Sequence, residues 1–189
     1  MPPGPEDDRQ SITTTGTKKD EVIPYLGLQT FDVRDARLFF GRDADIQRLI
    51  EKLKAAPFLA VMGASGSGKS SLVRAGLIPA LRSNALPCSK QWLRHIFRPG
   101  PRPLMELSTQ LVRLRGKRQR PSALTEMEQE LSKDEKALHN AVRLKLASLK
   151  LKPEEESRCR VVFVVDQFEE VFTLCHNKEE RKQFLDNLL

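Results

Sequence analysis

Apolar residues recur along this chain with two different periods, and their alternation predicts helices and strands in turn. Ile46, Leu49, Ile50 and Leu53 follow the i, i+3, i+4, i+7 spacing of a helix with one buried stripe, which Asp43 is placed to cap and Pro57 to end. Residues 58–62 form a short apolar run between Pro57 and Gly63, the pattern of a strand buried on both faces. A glycine-rich stretch follows, and Leu72, Val73, Gly76, Leu77 and Leu81 then predict a second helix with Pro79 near its end. Residues 92–97 predict a strand stopped by Pro99-Gly100-Pro101, and Leu104, Leu107, Leu111 and Leu114 mark the next helix. Beyond a basic turn, Ser132-x-x-Glu135 reads as a capping box that opens a helix through Leu138, Val142, Leu146 and Leu149. Lys150 and Lys152 suit the C-terminal dipole of that helix, and Pro153 breaks it. Residues 161–165, four valines around Phe163, are the strongest strand signal and run straight into Asp166. After Asn177, the spacing of Phe184, Leu185 and Leu188 predicts a final helix. Strands alternating with helices predict an α/β fold, a three-layer core around a parallel sheet.

The length of 189 residues suits one ordinary domain of about 100–200 residues, and 39% hydrophobic content excludes collagen-like and wholly disordered chains. Residues 1–21 differ in texture: Pro2, Pro3 and Pro5, an acidic run and a Thr-rich patch offer too few hydrophobes to offset the entropy of ordering, so they read as a disordered tail before a domain over 22–189. Cys88, Cys159 and Cys175 form no C-x-x-C pair, which points to reduced thiols rather than a disulfide framework or a zinc site. No apolar run approaches the ~20 residues that span a bilayer, and the N-terminus lacks a secretory pattern, so the expectation is a soluble cytoplasmic protein with no membrane partner.

Gly63, Ala64, Ser65, Gly66, Ser67, Gly68, Lys69 and Ser70 match G-x-x-x-x-G-K-[ST], between a predicted strand and a predicted helix. Glycines there let backbone N–H groups curl around phosphate oxygens, and the helix N-terminus adds a favourable dipole. Lys69 is placed to reach the β- and γ-phosphates, Ser70 to offer its hydroxyl to Mg²⁺, and Ser71 to contact the α-phosphate region. Asp166, at the C-terminal end of its strand, is the carboxylate expected to complete the metal site from across a parallel sheet. Glu169 or Glu170 would orient or deprotonate the attacking water, with Glu169 favoured.

Four stretches together resemble the novel STAND NTPase 1 family, within the STAND class of P-loop NTPases: residues 24–31, 38–43, 63–81 and 161–174, the last with its Asp-Gln-Phe-Glu-Glu core. The resemblance implies Walker A and Walker B motifs, bound ATP and Mg²⁺, and a signalling ATPase switching between ADP-bound and ATP-bound forms inside a larger protein with protein partners or self-association. It also places Gly41 and Arg42 near the adenine. Relatives of this class carry a further strand with a polar residue that senses the γ-phosphate, and this sequence reaches Leu189 without one. The expectation is therefore the N-terminal part of the NTPase domain, truncated after the acidic strand.

Two other readings differ in class. One is an interaction module that binds nucleotide without turnover. The other is a DNA-dependent ATPase, prompted by residues 82–120, where ten Lys or Arg residues face one acid, Glu106, within a chain of net charge +7. No helix-turn-helix, finger or aromatic ladder accompanies that charge. His95, His139 and His176 are scattered and suggest no triad or metal set, while Trp92 and Phe97 read as core.

Overall fold

The computed structural model describes residues 29–189. The expected disordered tail over 1–21, and residues 22–28 of the expected domain, lie outside the described residues. The described part opens on a 3-10 turn, Val33–Leu38, closed by a capping box in which the Asp32 carboxylate accepts from Val33 N and Asp35 from Asp32 N. Helix α1, Asp43–Ala55, buries Leu49, Ile50 and Leu53 as the spacing predicts. Asp43 is its first residue rather than its cap: Arg42 holds that position, and Asp43 and Asp45 act through the dipole of the first turn instead.

Helix α2 is continuous but not uniform. It begins as Lys69–Ser71, widens into a π-helical stretch over Leu72–Leu77, and ends as Ile78–Arg82. Within the wide turn Ile78 N donates to Val73 O, five residues back. Pro79 supplies the physical reason, because it cannot donate to Ala75 O and its ring crowds that carbonyl, a conflict that a wider turn absorbs. Gly76 lets α1 approach closely: a Cβ there would lie 2.7 Å from Ile46 Cγ1 and 2.9 Å from Cδ1. Gly76→Val is accordingly expected to lower stability by about 1–3 kcal/mol, seen as a lower urea midpoint at unchanged slope. An unchanged midpoint would mean that α1 and α2 need no such close approach.

Strand β1, Leu93–Phe97, pairs in parallel with β2, Val161–Val165, in the register Leu93 to Val161 through Phe97 to Val165. Between them lie α3 (Pro103–Leu114), α4 (Pro121–Lys133), α5 (Ala137–Ser148) and the single turn α6 (Pro153–Glu156). After β2 come the single turn α7 (Glu170–Thr173) and α8 (Lys178–Leu188), whose N-cap Asn177 accepts from Glu179 N and Glu180 N. Helix α4 replaces the expected basic turn. Its signals are Pro121 at the first position and the stripe Leu124, Met127, Leu131, whose last two members are buried. The capping box is not formed: Ser132 ends inside α4 with its hydroxyl on Gln129 O, and Asp134 makes the connection to α5 by accepting from Lys136 N.

The sheet is smaller than expected. Among the described residues it has two strands, and residues 58–62 are extended but unpaired. Leu59 and Val61 turn inward, while Phe58 is 64% and Met62 88% exposed, so the run is not buried on both faces. A strand needs a neighbour to satisfy its N–H and C=O groups, and none of the described residues forms one alongside this segment. Alternate residues of β2 feed two apolar clusters. Val161, Phe163 and Val165 join Phe97, the α3 leucines, Met127, Leu131 and Phe184, whereas Val162 joins Leu49, Leu53, Leu72, Leu81 and Trp92. Leu107 and Leu111 are fully buried, each contributing about 1.5–3 kcal/mol relative to exposure to water. Trp92, 4% exposed, donates its indole N–H to Arg158 O at 2.8 Å beneath the Arg160 guanidinium.

His95 stacks on Phe163, half-buried. Burial pushes its pKa below the ordinary value; a Gln110 hydrogen bond opposes that shift, and the charges of Arg113 and Lys145 add to it. The unfolded chain therefore takes up a proton near pH 6.5 that the folded chain resists, so stability from this group is complete above that pH and declines below it. His95→Gln is expected to flatten the fall in unfolding free energy between about pH 7 and 5. A slope identical to wild type would exclude this contribution.

Candidate functional site

The glycine-rich loop, residues 63–68, joins the extended segment to α2. Gly66 and Gly68 have φ of +74° and +80°, a left-handed backbone that favours glycine and turns the loop around its own amides. Ser67 N donates to Ala64 O at 3.2 Å; otherwise the amides of Ser65, Gly66, Gly68, Lys69 and Ser70 have no acceptor among the described residues. Such N–H groups at the start of a helix as long as α2 form an anion cradle. Lys69 Nζ folds back over it, 2.8 Å from both Gly63 O and Ala64 O.

Asp166 follows β2 directly and extends the ladder by one bond, Asp166 N to Phe97 O at 2.8 Å. That places its carboxylate, 9% exposed, at the C-terminal end of the sheet beside α2. Ser70 Oγ donates to Asp166 Oδ1 at 2.6 Å across 96 residues of sequence. The expected pair is thus assembled. The sequence reading missed the group on the other oxygen: Arg74 donates to Oδ2 from Nε at 3.2 Å and from Nη2 at 3.0 Å. Its Nη1 lies 3.8 Å from Asp32 Oδ1, and Arg98 Nε is 4.0 Å from Asp166 Oδ2. A signal was present, since Arg74 is the one charged residue among Leu72, Val73, Ala75 and Leu77, four positions after Ser70. Ser71, buried, accepts from Phe31 N at 3.1 Å and so ties the segment before the 3-10 turn to α2.

The two glutamates separate clearly. Glu170 Oε2 accepts from Gly100 N at 3.1 Å, bracing the turn between β1 and α3. Glu169 is exposed, and its backbone carbonyl rather than its carboxylate makes the local bonds. Between Asp166 and Glu169 the chain passes through Gln167 at φ +55°, a left-handed conformation that costs a non-glycine residue about 1–2 kcal/mol. This kink turns the chain from β2 into α7.

Gly41, at φ +78°, makes the bend before α1. The neighbouring Arg42 is paired with Asp45, Nε to Oδ2 at 2.6 Å, and Asp45 also holds Arg48. The loop, Ser70 and Asp166 come together, while Arg42 is engaged on its own helix.

A hydroxyl and a carboxylate are the hard oxygen donors that suit Mg²⁺ held partly by phosphates and water. Among the described residues there is no group of three or more His, Cys, Asp or Glu that could hold a metal by itself. Cavities of about 670 Å³, lined by Arg82, Cys88 and Glu155 among others, and of about 430 Å³, lined by Arg102, Glu128 and Glu180 among others, include no residue of the loop. An open cradle of backbone amides need not form an enclosed cavity. In the basic segment Arg102 pairs with Glu128 and Arg115 with Glu130, so two of its charges are locally neutralised. No helix among the described residues is long and apolar enough to cross a membrane.

No curated protein and no solved structure matches this chain significantly. A family model does, over residues 24–189, a span that holds the cradle, Ser70, Arg74 and the Asp166 carboxylate in one frame. Its description is Novel STAND NTPase 1, and with most of the sequence covered the chain belongs to that family of nucleotide-binding NTPase-type domains.

Proposed function

We propose that this chain is the ATP-binding, ATP-hydrolysing part of a STAND-type signalling switch, acting within a larger multidomain protein. The observation that carries the reading is the 2.6 Å bond from Ser70 Oγ to Asp166 Oδ1, which joins the start of the loop helix to the carboxyl end of β2. Residues Gly63 to Gly68 bind the phosphates through their amides, Lys69 leaves the loop carbonyls to pair with the β- and γ-phosphates, and Ser71 supports the helix start. Ser70 and Asp166 would hold Mg²⁺, which when bound neutralises charge developing on the phosphate oxygens. Glu169 orients or deprotonates water, Glu170 braces the site, and Gly41 with Arg42 borders the adenine. The packing of β2 against helical clusters on both sides supports placing the chain in the three-layer P-loop core.

A non-hydrolysing nucleotide-binding module is the second reading, favoured by the engagement of Asp166 with Arg74. Equilibrium binding of ATP measured beside phosphate release separates the two: tight binding with release supports the switch ATPase, and tight binding without release supports the module. Failure to bind ATP or ADP with Mg²⁺ removes both.

A further inference from the structure

The carboxylate assigned to the metal already has a cationic partner. Asp166 Oδ1 takes the Ser70 hydroxyl, and Oδ2 takes two N–H groups of Arg74, whose side chain is 22% exposed. We propose that Arg74 is the resident counter-ion of the cation site, competing with the divalent ion for Asp166 and so setting how strongly nucleotide binding depends on that ion. The inference rests on the reading of the loop as a magnesium-nucleotide site.

Two further observations support it. First, a dication approaching this carboxylate meets a guanidinium with a nitrogen 3.0 Å from Oδ2, and like charges at such range in a partly buried site repel strongly. Second, Arg74 has another anionic seat. Asp32, half-exposed, lies 3.8 Å from Nη1, so a guanidinium displaced from Asp166 keeps a partner. Asp32 also caps the 3-10 turn, and Phe31 N is bonded to Ser71 Oγ. The same cation therefore links the metal carboxylate to the segment N-terminal of α1. The π-helical stretch carries Arg74 itself, and wide turns of this kind concentrate at functional positions.

The test is titration of the whole protein with a fluorescent ADP analogue in excess Mg²⁺ and again in EDTA, taking the ratio of the dissociation constant in EDTA to that in Mg²⁺. Arg74→Met and Arg74→Gln, which remove the charge, are expected to raise that ratio about tenfold. Arg74→Lys, which keeps the charge, is expected to stay near wild type. Asp32→Asn keeps the cap but removes the second seat, and it is expected to lower the ratio about two- to threefold. A role that is merely structural would weaken binding equally in both buffers and leave the ratio unmoved. A ratio unchanged or lowered in the folded neutral variants overturns the proposal while leaving the nucleotide site intact. If neither neutral variant folds, Asp32→Asn decides, and an unchanged ratio there overturns it. Wild-type protein that binds the analogue in neither buffer removes the site reading itself, and this inference with it.

Discussion

Lys69→Ala is expected to weaken ATP binding by roughly 10²–10³-fold, the effect of truncating one partner of a desolvated charge pair. The fold is not expected to change with it. Among the described residues the Lys69 ammonium bonds only to Gly63 O and Ala64 O at the exposed loop, and no core contact there depends on it. Calorimetric titration of ATP should therefore show the loss at an unchanged melting midpoint. Lys69→Arg is not expected to restore full affinity, because a planar fork does not replace a compact point charge in this narrow turn. Unchanged ATP affinity in Lys69→Ala would defeat the assignment of the loop.

The second large effect separates two adjacent acids. Glu169→Gln is expected to lower single-turnover hydrolysis about 10²–10⁴-fold while leaving ATP affinity within a few-fold of wild type, the pattern of a lost general base. Glu170→Gln is expected to change the rate little and instead to lower stability by about 1–2 kcal/mol, because a charged acceptor for Gly100 N is replaced by a neutral one. Quenched-flow measurement of phosphate release, with a urea unfolding curve on each variant, distinguishes the pair. If Glu170→Gln stopped turnover and Glu169→Gln did not, the roles would have to be exchanged.

What could be read in advance was whatever local order dictates. The run over Val161–Val165 is apolar and β-branched, and it forms the strand it predicts, with Asp166 at its end. The phosphate loop is equally local, since Gly66 and Gly68 adopt the backbone that made them informative. Residues 58–62 have similar apolar content, yet a strand is completed by a neighbour, and no pattern within five residues reports whether one stands beside it. Helix α4 was hidden by competition. Ser132 and Glu135 fit a capping box, but the stripe Leu124, Met127, Leu131 buries more apolar surface and carries the helix through to Lys133. Within the site, Ser70 and Asp166 were legible because each belongs to its own short motif. Arg74 was legible only through its spacing from Ser70, because its meeting with Asp166 joins positions 92 apart and belongs to no single motif.

Trp92 is the only indole in the chain, and it is seated among Leu49, Leu53, Leu72, Leu77 and Leu81 on the side of the sheet that α1 and α2 cover. The molecule thus contains its own optical gauge. Light emitted from that dry seat reports the spacing between α2 and β1, so rearrangement of the helix that starts at Lys69 alters its colour or intensity without any attached dye.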